Sequence, residues 1–428
     1  MNETSSRVPT SLSKRARRNT PLWAAAAALA VGCAGFGASW AQEATAPQLE
    51  NVDERTGVRV NSFILRPELR VEGVYSDNYL QSEDDEQSSY LFVTRPEVTL
   101  ESDWRRHALI LSAFGEYGLY TEDSDDNYTE FGGSAIGVID ITRAAGVRIE
   151  TGLSRLSDGR GDDNAPGAAA EPTEYTLGEI DIEGRYKRGR LRLSPVAAFS
   201  LRDYDDVDLI GGGSSNEDDR DRLTYVGGAE IGYEFLRGYE AFVRGEGLLI
   251  DYNGDFEPGE TDRSGDSLRA LGGVNLSLSR LVEGRVGVGY EQRSFDEDDL
   301  ESVDSVSVDL GVDWFVTPLT SIQFIGEGGV GETTVAGSSG TSRLAGTVSV
   351  RHALRRNVLL GGFVGAGTED FDGVERTDDT LSAGASVEWL LNPNVSLGAR
   401  YAHTNEDSDA EGESYTENQF SLGLRARY

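Results

Sequence analysis

The 428-residue sequence contains one cysteine, one methionine, three histidines and eleven prolines. Beyond its first 41 residues it has no apolar run near the roughly 20 residues that a membrane-crossing helix needs. A lone cysteine excludes an internal disulfide framework and any thiolate metal cage. Basic residues are also scarce: 39 Lys and Arg against 74 Asp and Glu leave a net charge of −35. That balance excludes a surface built to neutralise duplex nucleic acid, which needs clustered cations. Apolar residues make up only 38% of the chain, fewer than a set of separate soluble domains normally buries. Low hydrophobicity with high net charge is the composition of disorder, but an aromatic content of 9% and abundant Val, Ile and Leu oppose that reading.

The N-terminus reads as an export leader. Lys14, Arg15, Arg17 and Arg18 form a positive region, Leu22 to Val31 a short apolar region, and Ser39-Trp40-Ala41 a small-x-small cleavage site. Cleavage after Ala41 removes Cys33, the chain's only thiol. The expected organisation is a cleaved signal peptide over 1–41, a short periplasmic segment over 42–60 and one all-β domain over 61–428.

From about Phe63 the chain alternates segments of period-two hydrophobicity with punctuation rich in Gly, Asp, Asn and Ser. Phe420, Leu422, Leu424, Ala426 and Tyr428 share one face of a strand, and Gln419, Ser421, Gly423, Arg425 and Arg427 the other. The same split recurs at Val306, Val308, Leu310, Val312 and Trp314 against Ser305, Ser307, Asp309, Gly311 and Asp313. Nine long acidic stretches occur at 76–89, 122–127, 156–172, 203–221, 253–265, 293–304, 332–341, 368–379 and 403–417. Eight tight turns alternate with them, among them Lys187-Arg188-Gly189, Arg237-Gly238 and Asn392-Pro393-Asn394, so the count predicts eighteen strands.

Every strand offers an apolar face, and no further layer is encoded to cover it, so lipid is the covering that fits. An even number of antiparallel strands with long loops at one rim and short turns at the other predicts a transmembrane up-and-down β-barrel of the bacterial outer membrane. The long acidic loops are then extracellular and the short turns periplasmic. Trp104, Trp314 and Trp389 fall at short-turn ends of strands, and Tyr75, Tyr90 and Tyr290 near long-loop ends, where interfacial girdles belong. The aromatic final residue Tyr428, with apolar residues at alternate positions before it, resembles the signal read by the outer-membrane assembly machinery.

Four stretches carry a family resemblance: Leu65-Arg66-Pro67-Glu68-Leu69, Tyr75-Ser76-Asp77-Asn78, Thr94-Arg95-Pro96-Glu97-Val98, and the run from Glu101 through Trp104-Arg105-Arg106-His107 to Leu109. Together they resemble the opening of the β-barrel porin type 2 family of bacterial outer-membrane proteins. The resemblance implies a barrel fold and, because some members accompany exopolysaccharide synthesis, a link to polysaccharide export. It brings no catalytic or binding residues.

An eighteen-stranded barrel is wide enough for a water-filled lumen. Candidate pore-lining residues are Arg66, Glu68, Arg70, Glu72, Arg95, Glu97, Glu116, Arg190 and Arg192, with Glu101 and Arg202 at further inward positions. Charges of both signs there either set up a transverse field or pair across neighbouring strands. The stretch 203–221, with Gly211-Gly212-Gly213 as a hinge, is the longest candidate for an inward-folded constriction. It also carries the outer-mouth acidic cluster Asp205, Asp206, Asp208, Asp218 and Asp219. Carboxylates at that density either hold divalent cations that bridge to lipopolysaccharide or simply hydrate the loops. His107, His352 and His403 lie on separate strands and assemble no catalytic group. The sequence therefore predicts a non-enzymatic, cofactor-free channel for polar solutes in the outer membrane, among lipid and lipopolysaccharide. The alternatives are a translocation component for exopolysaccharide and a surface receptor or adhesin.

Overall fold

A computed structural model describes residues 57–428 except 163–164, 167, 254–260 and 279–280. The expected leader and all of the 42–60 segment before Gly57 lie outside the described residues. A short strand, β1 (Val58–Val60), folds back on the start of β2 (Phe63–Ser76), with Val60 opposite Phe63. The wall continues through β3 (Ser89–Ser102), β4 (Ala108–Tyr120), β5 (Tyr128–Asp140), β6 (Ala145–Asp158), β7 (Thr173–Arg188) and β8 (Leu191–Tyr204). Two-residue strands β9 (Val207–Asp208) and β10 (Ser214–Ser215) form a small separate hairpin. The wall resumes with β11 (Arg222–Leu236), β12 (Tyr239–Tyr252), β13 (Gly265–Leu278), β14 (Val282–Phe295), β15 (Val303–Thr317) and β16 (Thr320–Gly331). It ends with β17 (Gly340–Arg355), β18 (Val358–Asp372), β19 (Thr377–Asn392), β20 (Val395–Ser408) and β21 (Tyr415–Arg427).

Each wall strand pairs antiparallel with its sequence neighbours, β8 pairs with β11, and β21 pairs with β2 from Glu68↔Arg427 to Ser76↔Gln419. The result is a closed antiparallel barrel of eighteen strands, as the punctuation predicts, and closure leaves no wall edge unpaired.

Alternation decides what each face meets. On β15 the outward run Val306–Trp314 covers nine residues, and Val306 and Trp314 are 54% and 42% exposed. At about 3.4 Å per residue and a tilt of ~35–45°, that run spans roughly 21 Å of bilayer, close to the ~25 Å apolar band of such barrels. Beyond it the outward residues turn polar, to Asp304 on β15 and to Gln292 and Ser294 on β14. Tyr290 and Tyr90 mark that boundary and are exposed, as are Trp314 and Trp389 at the other rim.

Strands run further into the long-loop side than sequence alternation predicts. The loop expected over 368–379 shrinks to 373–376, and that over 403–417 to 409–414, because β18 to β21 keep their hydrogen-bonded ladders there. Beyond the apolar band both strand faces carry polar residues, so backbone pairing persists without a hydrophobic period to report it. At the short-turn rim, register shifts at Glu234/Leu236, Phe315/Thr317, Ala353/Arg355 and Leu390/Asn392 tighten four hairpins. The β11–β12 turn needs Gly238: its φ is +84°, and a Cβ there would lie 2.5 Å from the Ser277 carbonyl oxygen.

Candidate functional site

The inward faces carry the charged residues, and local pairing organises them. Arg66 on β2 pairs with Glu101 on β3. Glu68 accepts from Arg70 at 2.5 Å and lies 3.2 Å from Arg425 on β21. Arg95 on β3 donates to Glu116 on β4 at 2.8 Å and lies 4.5 Å from the Phe114 ring centroid. Glu116 also accepts from the Tyr128 hydroxyl at 2.9 Å. Glu97 sits opposite Glu68, and Glu72 opposite Gly423. Arg190 lies in the exposed β7–β8 turn rather than on a wall strand, because the turn takes up Gly189 and Arg190 before β8 begins.

The two sides of the interior differ. Arg66, Arg70 and Glu101 on β2 and β3 keep 32%, 44% and 40% of their side chains exposed. Glu230, Glu246 and Glu291 on β11, β12 and β14 keep only 5%, 2% and 3%. A packed layer accounts for the closed side. Phe242 on β12 is 3% exposed and lies over Gly273 and Gly287 on the next two strands, where an added Cβ would come within 2.7 and 2.9 Å of its ring. Arg285 stacks on that ring at 3.8 Å and reaches Glu230 at 2.8 Å and Asp309 at 2.5 Å. Arg192, on β8, completes the network with Glu230 at 2.5 Å and Glu240 at 2.6 Å. Glu230 thus holds two guanidiniums from strands on either side of it. Water therefore reaches the β2–β3 side of the interior, while side chains fill the β8–β14 side.

At the long-loop rim, the segment that reaches across the wall is 332–339, between β16 and β17, rather than 203–221. Glu332 accepts from Arg293 at 2.5 Å and from the Tyr252 hydroxyl on β12, with β13 to β15 intervening. The Ser338 and Val335 carbonyls accept from Arg263 at 3.2 and 3.4 Å. Burial works to raise the Glu332 pKa, but Arg293 and then Arg222, with the hydrogen bonds from Tyr252 and Arg293, hold it down to about 2. The stretch 203–221 instead folds on its neighbour: Ala170 donates to the Asp208 carbonyl at 2.8 Å, and Ile210 to the Ala168 carbonyl at 2.8 Å. Its three glycines, all at positive φ, form the exposed tip around the β9–β10 hairpin.

The expected outer-mouth acids are not brought into one cluster. Asp205 pairs with Arg155, Asp206 and Asp208 are exposed, and Asp218 and Asp219 sit in a 3-10 turn ending at Arg220. Among the described residues no group of three metal-ligating side chains converges. The histidines engage separately: His107 accepts from the Asp140 N–H, His352 bonds Thr320, and His403 bonds Asn418.

Sequence parity places Glu230, Arg285 and Arg293 on the inward face, but their meeting with partners several strands away depends on wall curvature and loop folding, which parity does not encode.

The barrel is similar in architecture to OpdQ of Pseudomonas aeruginosa, at 11% identity and TM-score 0.45, covering 86% of this chain and 98% of that one. It is also similar to the siderophore receptor PiuA of Acinetobacter baumannii, at 7% identity and TM-score 0.46, covering 87% and 82%. At such identities a neighbour's ligands do not transfer. No curated protein matches the sequence. The model of the family described as "Putative beta-barrel porin 2" matches residues 53–428, and the chain belongs to that family of porin-like, outer-membrane-type β-barrels.

Proposed function

We propose that the protein is a non-catalytic channel of the bacterial outer membrane through which small polar solutes pass by diffusion. The long loops lie at the cell surface, lipid and lipopolysaccharide surround the wall, and the barrel assembly machinery inserts it. One observation carries the reading: the inward charges Arg66, Arg70 and Glu101 on β2 and β3 keep 32%, 44% and 40% of their side chains exposed, although the barrel is closed and its outer face apolar. Charged groups hold that exposure inside a closed wall only where water stands beside them. Their partners sit on the same or adjacent strands, so they neutralise one another locally and leave a wet wall of mixed sign.

Liposome swelling tests this reading. Vesicles carrying the refolded protein should swell in isotonic arabinose or glycine at rates that fall with solute size. Rates equal to those of empty vesicles would remove the channel reading. Loss of a secreted polysaccharide on gene deletion, with unchanged solute uptake, would favour the export role instead.

A further inference from the structure

Beneath the acidic long-loop rim lies a small recess, partly open to solvent, where Arg202, Arg220, Arg222 and Arg263 line the wall with Tyr252, Asp219 and Glu332. Four arginines converging in a chain of net charge −35 need an explanation, and the internal carboxylates supply only part of one. Arg220 is neutralised by Asp158 at 2.8 Å and Glu217 at 3.1 Å. Arg263 spends its guanidinium on the Ser338 and Val335 carbonyls, which bring no negative charge. Arg202 is 7% exposed, yet among the described residues no hydrogen bond or ion pair engages its guanidinium. Glu179 feels its charge without bonding to it.

Aromatic faces hold these cations in place. Arg202 lies 5.7 Å from the Tyr175 ring, Arg220 3.9 Å from Tyr204, and Arg222 5.7 Å from Tyr252, and Tyr175 stacks on Tyr204 at 4.9 Å. Cation–π contact fixes a guanidinium while leaving its in-plane N–H donors unused. A buried arginine without an anion is costly unless something supplies one. The chain itself shows what suits the recess: the Glu332 carboxylate is bound there by Arg293 and the Tyr252 hydroxyl.

We propose that this recess binds the oxyanion group, carboxylate or phosphate, of a small polar solute, with Arg202 as the forked donor and Arg263 as the second cation. The proposal rests on the channel reading in that the solute enters along the same wet path. The acidic loops above would repel polyanions far more than small solutes of low charge, which then meet fixed guanidiniums below.

Titration calorimetry on the detergent-refolded barrel tests it, with glucuronate, glucose 6-phosphate and glucose as probes. Glucuronate, glucose 6-phosphate or both should bind at least tenfold more tightly than glucose, and the difference between the two acids identifies the preferred oxyanion. R202Q should weaken that binding roughly tenfold or more, as loss of a charge-assisted forked contact does, and R202K should fall between. If R202Q fails to give the heat-modifiable gel shift of a folded barrel, R263Q carries the same expectation. Oxyanions that bind no better than glucose, or variants that bind as the wild type does, would overturn the site. Bilayer recordings on the same sample separate the two readings. Conductance steps without oxyanion preference sink the site and leave the channel, whereas oxyanion binding without steps supports the site and sinks the channel.

Discussion

Replacing Glu332 by Gln should release the 332–339 segment from the wall. The carboxylate joins Arg293, 2% exposed at its side chain, to Tyr252, and the rest of the segment is held by Arg263 and by the Ser339 N–H donating to Asp372 at 2.9 Å. Removing one partner of a buried pair costs about 3–5 kcal/mol, because the other charge is left uncompensated. The pKa supports the same scale: a carboxyl lowered from 4.5 to about 2 corresponds to about 3 kcal/mol, a factor of a hundred or more in an opening equilibrium. Because the folded pKa is the depressed one, this stabilisation is complete above pH 4.5 and is lost as the pH falls towards 2. Hydrogen exchange followed by mass spectrometry reads it directly. In Glu332→Gln at pH 7, amides of residues 333–339 should exchange about a hundredfold faster while the wall strands stay protected. In the wild type, the opening free energy of the segment, corrected for the intrinsic exchange rate, should fall between pH 4.5 and 3, and in the variant it should not. Protection of 333–339 unchanged within threefold in the variant would refute the reasoning.

Glu230→Gln leaves Arg192 and Arg285 short of their shared anion; it should lower stability by about 3 kcal/mol in urea unfolding and shift the reversal potential in a KCl gradient towards anions. Gly287→Val places a side chain against the Phe242 ring, 2.9 Å from a Cβ there, and should cost about 1–3 kcal/mol by overpacking in the same assay. Leu422→Arg, at an outward position 71% exposed to the surroundings of the wall, should destabilise the barrel in lipid by about 2–4 kcal/mol, whereas Ser421→Arg on the opposite face should cost much less. Burial, with Asp203 and Asp218 nearby and only partly offset by the Tyr204 N–H, raises the Asp221 pKa to about 6. Exchange protection of residues 205–221 should therefore decline as pH rises from 4 through 6, and Asp221→Asn should abolish that decline.

What was legible in the sequence is what the bilayer imposes. Leu422 and Val306 announce their strands because lipid demands an apolar residue at every second position and water permits Ser421 and Ser305 between them. Legibility fails where that demand stops. Asp379 pairs with Asp407, and Asp370 with Thr377, yet all four read as loop because both faces of those strands carry polar residues there. The glycine-rich stretch 203–221 is hard to read for a related reason. Gly211-Gly212-Gly213 looks like a hinge in sequence, but three residues at positive φ serve as the tip of a hairpin. The segment that does reach across is anchored by Glu332, whose partners Arg293 and Tyr252 lie 39 and 80 residues away. Parity gives Arg66, Arg95 and Arg192 one common face of their strands, whereas the β7–β8 turn takes Arg190 off the wall altogether. The arginine recess was invisible because its members come from five separate segments.

The central claim is that alternate residues of each strand face lipid and a conducting lumen. Its most direct test is thiol modification during bilayer recording, in a Cys33→Ser background that has no other cysteine. A bulky, charged, membrane-impermeant methanethiosulfonate should step the single-channel current down in Ser421→Cys and leave it unchanged in Leu422→Cys. Equal responses at the two positions, or no conductance steps from a folded, heat-modifiable barrel, would contradict the account.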